Sequence, residues 1–558
     1  MADEGLTPHR RDPIKSSVGN VAAQRRRQNA VTVGKERRES LVRAKRLCRV
    51  GTSGDSEVSV DNDMMVDEEQ SILETQTAAA GDLVRGDDGG VYFRNAELLM
   101  TGESTEQSLI YRKYGDYYTE QLYSDLGKRK NVTKLGKGAM HKRVDALREL
   151  RRILSRFEFP PVETALKAGA ISTLVQCLSF GSPDEQLLEA AWCLTNIAAG
   201  KQEETKALLP ALPLLIAHLG EKSSLPVAEQ CAWALGNVAG EEEELRDVLL
   251  AQGALPPLAR MMLPNKGSTV RTAAWALSNL IKGPDPKAAS ELIRVNGVLD
   301  AILCHLKKAN EELATEVAWV VVYLSALSNV ATSMLVKSDV LPQLVERLAT
   351  TNSLQLLIPV LRSLGNLVAG DSNTICDILV PGHKVIEVLV KCLKSEHRVL
   401  KKEAAWVLSN IAAGSVEHKQ LICSSEALAL LLHLLSTSQS DIRKEVAYVL
   451  GNLCVSPTEG DGKPRLIQEH LISLVSRGCL PGFIDLVRSA DIEAARLGLQ
   501  FMELVLRGMP NGEGPKLVEQ EDGIDAMERF QFHENEDLRN MANGLVDKYF
   551  GEDYGVDD

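Results

Sequence analysis

Ala190, Ala191, Leu194, Ile197 and Ala198 share one face of a helix turning about 100° per residue, so EAAWCLTNIAAG (189 to 200) predicts a helix with that face buried. Trp192 and Asn196, four residues apart, fall roughly opposite, with Glu189 one turn earlier. The pattern returns as EQCAWALGNVAG (229 to 240), RTAAWALSNLIKG (271 to 283), TEVAWVVVYLSAL (315 to 327), IPVLRSLGNLVAG (358 to 370), KEAAWVLSNIAAG (402 to 414) and KEVAYVLGNLCV (444 to 455). Its tryptophan slot is filled in turn by Trp192, Trp233, Trp275, Trp319, Arg362, Trp406 and Tyr448, with spacings from 41 (192 to 233) to 44 (275 to 319). A period of this size means stacked helical repeats. Indoles repeated at one helical position, away from the apolar stripe, predict an outward ladder for an extended ligand.

Between ladder helices the chain passes through glycine-marked turns, AGAIST (168 to 173), QGALPP (252 to 257) and VNGVLD (295 to 300), into leucine-rich helices. A glycine that ends one helix, followed by small residues or proline that start the next, is a helix–turn–helix signal. HKRVDALRELRRILSRFEFPP (141 to 161) keeps the ladder register with Arg148 and Arg152 in the Trp and Asn slots, as a polar capping unit requires. After Tyr448 the ladder is lost, although 478 to 507 and 522 to 550 still predict helix pairs. Ten units are expected, the first and the last two atypical.

The 558 residues exceed what one globular core holds, but a one-dimensional stack has no such limit. The net charge of −13 hides an asymmetry: residues 1–50 hold thirteen Lys/Arg against five Asp/Glu, or +8, so the remainder carries −21. Residues 51–84 contain nine acids and no Lys or Arg, the composition of a solvated linker. The following stretch to 135 holds Tyr92, Tyr111, Tyr114, Tyr117, Tyr118 and Tyr123 but no repeat pattern. The organisation read here is a basic arm (1–50), an acidic linker and tyrosine-rich insert, mostly disordered (51–135), the repeat domain (136–550) and an acidic tail (551–558).

No apolar run of about twenty residues and no apolar leader is present, so a soluble, non-secreted chain without membrane insertion is expected. The ten cysteines, from Cys48 to Cys479, are scattered without a C-x-x-C pair and read as buried thiols. The ten histidines are dispersed, and GDDGG (86 to 90) lacks the Lys-Ser/Thr of a phosphate loop. Neither a catalytic site, a metal nor a cofactor is expected, and the acidic body argues against nucleic acid as a direct ligand.

The W-x-x-x-N spacing on the last helix of forty-odd-residue repeats, behind a basic arm, resembles the importin-alpha (karyopherin-alpha) family of armadillo-repeat nuclear import adaptors, and the arm RRDPIKSSVGNVAAQRRRQNAVTVGKERRESLVRAKRLCR resembles its divergent plant branch. The resemblance covers about 10 to 49 and 136 to 550. It implies an all-α fold, a right-handed superhelical solenoid of about ten armadillo repeats. It implies a major groove of Trp192, Asn196, Trp233, Asn237, Trp275 and Asn279, with Gly200, Thr205 and Glu241 selecting lysine and Glu316 flanking. Glu241 stands where the family usually has Asp. A minor groove would use Glu403, Trp406, Ser409, Asn410, Glu445, Tyr448 and Asn452, weakened by Tyr448 in place of Trp. Trp319, Tyr323, Arg362 and Asn366 form the ladder's break between the grooves.

The chemistry fits that reading. An Asn amide donates and accepts at once, as a peptide backbone requires. Parallel indoles sandwich Lys or Arg stems, with cation–π attraction of roughly 0.5 to 2 kcal/mol each. The structural alternative, that the Asn residues only bridge neighbouring helices, stands beside it. By resemblance, Arg25, Arg26, Arg27, Lys35, Arg37, Arg38, Arg43, Lys45, Arg46 and Arg49 bind importin-beta and compete weakly for the cargo groove. HENEDLRNMANGLVDKYF resembles the region that meets the nuclear export factor, implying shuttling between cytoplasm and nucleus. The competing class is an armadillo scaffold for signalling or adhesion.

Overall fold

Helices account for most of the described backbone of the computed structural model, which covers residues 83–85, 91–93, 137–156, 160–263, 269–283, 285–369, 384–456 and 465–551. The basic arm and most of the 51–135 stretch lie outside these residues. So does the acidic tail beyond Gly551. Within the insert, β1 (Leu83–Arg85) pairs antiparallel with β2 (Val91–Phe93), Val84 opposite Tyr92, a short strand pair the sequence pattern did not predict.

The described residues divide into two compact units, one ending at Pro210 and one starting at Ala211. The first holds α1 (Lys137–Arg156), α2 (Val162–Lys167), α3 (Ala170–Cys177), α4 (Asp184–Ala198) and α5 (Gln202–Lys206). Here α1 packs on α4, burying Leu147, Leu150 and Leu154 against a layer that includes Ala190, Ala191 and Leu194.

The second unit begins with α6 (Leu212–Ala217) and α7 (Leu225–Gly240) and continues in triplets. These are α8 (Glu243–Ala251), α9 (Leu255–Met261) and α10 (Thr269–Leu280); α11 (Lys287–Arg294), α12 (Val298–Lys307) and α13 (Glu311–Leu327); and α14 (Asn329–Val336), α15 (Val340–Thr350) and α16 (Leu354–Val368). α17 (Lys384–Leu393) and α18 (Arg398–Ala412) follow, then α19 (Val416–Cys423), α20 (Ala427–Thr437) and α21 (Ser440–Leu453). The last triplets are α22 (Gln468–Ser476), α23 (Leu480–Val487) and α24 (Ile492–Gly508), then α25 (Glu513–Gln520), α26 (Gly523–Glu528) and α27 (Glu536–Phe550).

The long third helices of this unit form one row, α7 on α10, then α13, α16, α18, α21, α24 and α27, each packed on the next. A second row, α12, α15, α17, α20, α23 and α26, stacks alongside. The apolar stripe read from the sequence is the contact between the rows: Ala273, Ala274, Leu277, Ala404, Ala405 and Leu408 are fully buried. Small residues on that face let helices approach closely, which is why alanine recurs beside the ladder.

The predicted turns hold. Gly169, Gly253 and Gly297 have φ of 80°, 77° and 84°, the left-handed region open to glycine at little cost. Proline stands in the first turn of α6, α7, α9 and α23, where its missing N–H has no intrahelical partner to lose. Among the described cysteines, Cys177, Cys193, Cys231, Cys392, Cys454 and Cys479 are buried, and burial pushes the Cys392 thiol up to about 11. No single described helix is long and apolar enough to cross a membrane.

Candidate peptide groove

Four ladder helices of the second unit meet their predecessors through one repeated register. In the second unit, Asn279 Nδ2 donates to the Gly236 carbonyl at 3.0 Å, and Asn366 Nδ2 to that of Val322 at 3.1 Å. Asn410 Nδ2 donates to Gly365 O at 3.0 Å and Asn452 Nδ2 to Ser409 O at 3.1 Å. In every case the acceptor immediately precedes the ladder residue of the previous helix. The same acceptor residue also seats the next aromatic side chain. A Cβ at Gly236 would stand 2.3 Å from Trp275 Cζ3, and one at Gly365 2.2 Å from Trp406 Cζ3.

This register corrects the expectation that Trp and Asn simply project outward. Asn237, Asn279, Asn366 and Asn452 are buried, Trp275 is 2% exposed and Trp319 7%, whereas Trp233, Trp406 and Asn410 are half-buried. One N–H of each bonded Asn is spent on bridging helices, the structural alternative raised by the sequence. Asn366 Nδ2 also lies 3.3 Å from Ser325 Oγ, whereas an amide with one bonded N–H, as at Asn279 and Asn410, carries a second N–H and a carbonyl oxygen besides. The Asn452 Oδ1 is buried without a hydrogen-bond partner among the described residues.

The break in the ladder is a built ion pair. Arg362 Nη2 lies 2.7 Å and Nε 2.9 Å from Glu403 Oε1, and its guanidinium carbon sits 5.7 Å from the centre of the Trp319 ring. Glu403, predicted to line the minor groove, is 8% exposed and engaged by Arg362. Tyr323, in the Asn slot, is buried with its ring 6.2 Å from that of Trp319. Farther on, Ser409 Oγ donates to the Trp406 carbonyl, Glu445 is buried, and the Tyr448 hydroxyl donates to Glu493 Oε1 at 2.8 Å. That bond anchors the smaller ring at 448 to the next ladder helix. Of the expected major-groove acids, Glu241 and Glu316 are both half-buried.

In the first unit, Trp192 is half-buried and covered by Arg151, whose guanidinium carbon lies 4.2 Å from the ring centre. Glu189 holds that arginine at 2.6 Å and receives Arg148 at 3.3 Å. Asn196 Nδ2 donates to Ser155 Oγ at 2.8 Å. Thr205, expected in a lysine-selecting pocket, is fully buried, its hydroxyl shared between the Ala198 and Lys201 carbonyls at 3.2 and 3.1 Å. Gly200 is half-buried beside Glu204, whose Oε2 would be 2.0 Å from an added Cβ. Arg152 points to Glu149 and not to a ladder partner.

Arg151, Gly236 and Gly365 were not singled out by the sequence reading. The recurring Gly-Asn pairs at 236–237, 365–366 and 451–452 carried a signal for the glycines. Arg151 occupies the equivalent position in α1, one residue before the Asn slot.

A family model described as TMCO6 matches residues 130–550. The chain is 69% identical to importin subunit alpha-9 of Arabidopsis thaliana and 58% identical to importin subunit alpha-2 of Oryza sativa subsp. japonica, each alignment covering 100% of both chains. Importin subunit alpha-1b of Oryza sativa subsp. japonica is 32% identical over 74% of this chain and 76% of its own. Among solved structures, the crystal structure of an engineered protein matches with a TM-score of 0.66 at 24% identity, covering 77% of this chain and 98% of that one, a likeness of fold alone. With two full-length relatives at these identities and the ladder register in place, the chain belongs to the importin-alpha family.

Proposed function

We propose that this protein is a nuclear-import adaptor that holds an extended, Lys/Arg-rich localisation peptide along its ladder helices and is carried by an importin-beta-type partner bound to the basic arm. The observation that supports it most directly is Arg362. A guanidinium stacked near Trp319 and neutralised by Glu403 is the contact a cargo arginine would make, here made by the chain itself. Trp233 and Trp406, both half-buried, repeat the aromatic platform, and the second N–H and carbonyl of the Asn279 and Asn410 amides match a peptide backbone. The names of the full-length relatives agree with this reading. On it the adaptor works in both cytoplasm and nucleus, the arm competes back for the groove on cargo release, and an export factor meeting the α27 region returns it.

Fluorescence anisotropy of a labelled basic peptide with the full-length chain tests the proposal, alongside Asn196→Ala/Asn237→Ala checked for folding by thermal melt. Tight binding to the parent is expected, with a loss of about 2 kcal/mol or more in the folded double variant, as at a buried hot spot. A parent that does not bind, or binding indifferent to both substitutions, would favour the scaffold class instead.

A further inference from the structure

The Asn-to-carbonyl bonds that join ladder helices stop at Asn452. α24 contains no Asn, and among the described residues the polar contacts that reach it from α21 are ionic and phenolic. Tyr448 Oη donates to Glu493 Oε1 at 2.8 Å. Lys444, one turn earlier on α21, lies 3.2 Å from Glu493 Oε2 and 2.7 Å from Asp491 Oδ2. Asp491 in turn accepts the Glu493 and Ala494 amides at the start of α24. Beside this cluster, Arg443 Nη2 reaches the Gly482 carbonyl of α23 at 3.2 Å and Asp485 at 3.6 Å. The cluster is partly open to water, the Lys444, Asp491 and Glu493 side chains being 20%, 34% and 43% exposed. α13 also lacks Asn, but it buries Trp319 and Tyr323 instead.

Beyond this junction the helices have a core of their own. The Phe483 and Phe501 rings stack with centroids 3.7 Å apart, joining α23 to α24. A Cβ at Gly498 would stand 2.7 Å from the Phe483 carbonyl oxygen, and one at Gly508 2.3 Å from Leu466 Cδ2. Met502 of α24, Val518 of α25 and Met527 of α26 are fully buried. The chain itself stays joined at the end of α21, where Val455 bridges to Leu466 and the Ile467 N–H donates to the Cys454 carbonyl at 2.7 Å.

We propose that the α21–α24 junction is a conformational latch: Tyr448, Lys444, Glu493 and Asp491 hold the block α22–α27 against the ladder, and when their charges are screened the block opens as a unit about the Val455–Leu466 bridge. Partly exposed ion pairs are held weakly, and salt screens them, the Debye length falling from about 10 Å at 0.1 M to about 3 Å at 1 M. A buried bond between a neutral amide and a carbonyl, as from Asn279 to Gly236, is not weakened in that way. Salt therefore acts on this junction more than on that between α7 and α10. Opening as a unit follows from the dense packing within the block, since local unfolding takes contiguous cooperative segments. Tyr448 is also a ladder position, so the latch lies where the ladder meets the C-terminal block.

Hydrogen exchange read by mass spectrometry on the full-length chain, in 0.05 M and in 1 M NaCl, tests the latch. Amides of α24, α26 and α27 are expected to exchange about fivefold faster at high salt, the scale of two partly exposed ion pairs, and those of α10 less than about twofold faster. In Lys444→Met/Glu493→Gln the same block should exchange at the faster rate already in 0.05 M NaCl, with little further response to salt. Should that variant not fold by thermal melt, Tyr448→Phe, which removes one hydroxyl, is expected to speed exchange of the block about threefold at low salt and to leave α10 unchanged.

An equal salt response in α10 and α24 would overturn the proposal, because salt would then act on the whole fold. So would a parental salt response in the folded double variant, or unchanged exchange of the block in Tyr448→Phe. Faster exchange confined to the first turn of α24, with α26 and α27 unchanged, would reduce the effect to fraying of one helix end and overturn it as well.

Discussion

At Gly365 an added Cβ would lie 2.2 Å from Trp406 Cζ3 and 2.8 Å from Cη2, closer than packed atoms approach, and Gly236 stands in the same relation to Trp275. Alanine is favoured over glycine inside a helix by about 1 kcal/mol, but forcing an indole from its seat costs about 1–3 kcal/mol. The steric effect wins, so Gly365→Ala should lower stability by about 1 kcal/mol and shift the tryptophan emission, read by urea denaturation and fluorescence. His305 is decided by burial as well. Its Nε2–H donates to the Met262 carbonyl at 2.8 Å and the ring is fully buried. Burial holds its pKa below the ordinary histidine value, against the raising effect of that bond, with Lys308 adding to the depression. The unfolded chain therefore takes up the proton first, and the stability His305 contributes is complete above about pH 6.5 and lost as pH falls through the lower folded value. The urea midpoint should drop from pH 7.5 to 5.5, and drop less in His305→Gln, which keeps a donor for Met262. Equal slopes for both proteins would place that acid sensitivity elsewhere.

At the scale of the helix, the buried cations are spent on carbonyl ends. Lys282 Nζ donates to Gly240 O at 2.9 Å and Arg246 to Ala239 O at 3.3 Å, both at the C-terminus of α7. Lys419, fully buried, donates to Ala412 O and to Asn452 O, closing α18 and α21 together. Positive charge at these ends compensates the partial negative charge of unpaired carbonyls. The other end is illustrated by Asp491, which caps α24 by accepting from the Glu493 and Ala494 amides at 2.9 and 3.1 Å and also pairs with Lys444 at 2.7 Å. Burial raises its pKa, but the Lys444 and amide hydrogen bonds outweigh it and leave the group below the ordinary carboxylate value. That stabilisation is present above the unfolded pKa and is lost as pH falls through the folded one. Asp491→Ala should cost about 1 kcal/mol at neutral pH, as for other lost caps, with a smaller difference from the parent in acid. Urea titrations at pH 7 and pH 3 check both limbs.

Across the molecule, the repeat period, the unit count and the glycine turns were legible because they follow from local periodicity and from φ > 0 positions. The ladder was legible as a series but not as a geometry. Trp275 and Trp319 have the same spacing as Trp233, yet they are buried while Trp233 is half-buried. A single helix wheel gives the direction of a side chain relative to its own core and nothing about the helix stacked beside it. For that reason the pairing of Asn279 with Gly236, and of Arg362 with Glu403, 41 residues apart, appeared only in the folded chain. Thr205 makes the same point: its motif is intact, but its hydroxyl is consumed by its own backbone. The sequence alone determined an all-helical repeat protein with a recurring aromatic and amide position, since both depend on residues within one turn or one repeat. The tertiary structure alone decided which of those side chains are engaged within the chain, because that depends on groups about forty residues away, brought together by the stacking of successive helices.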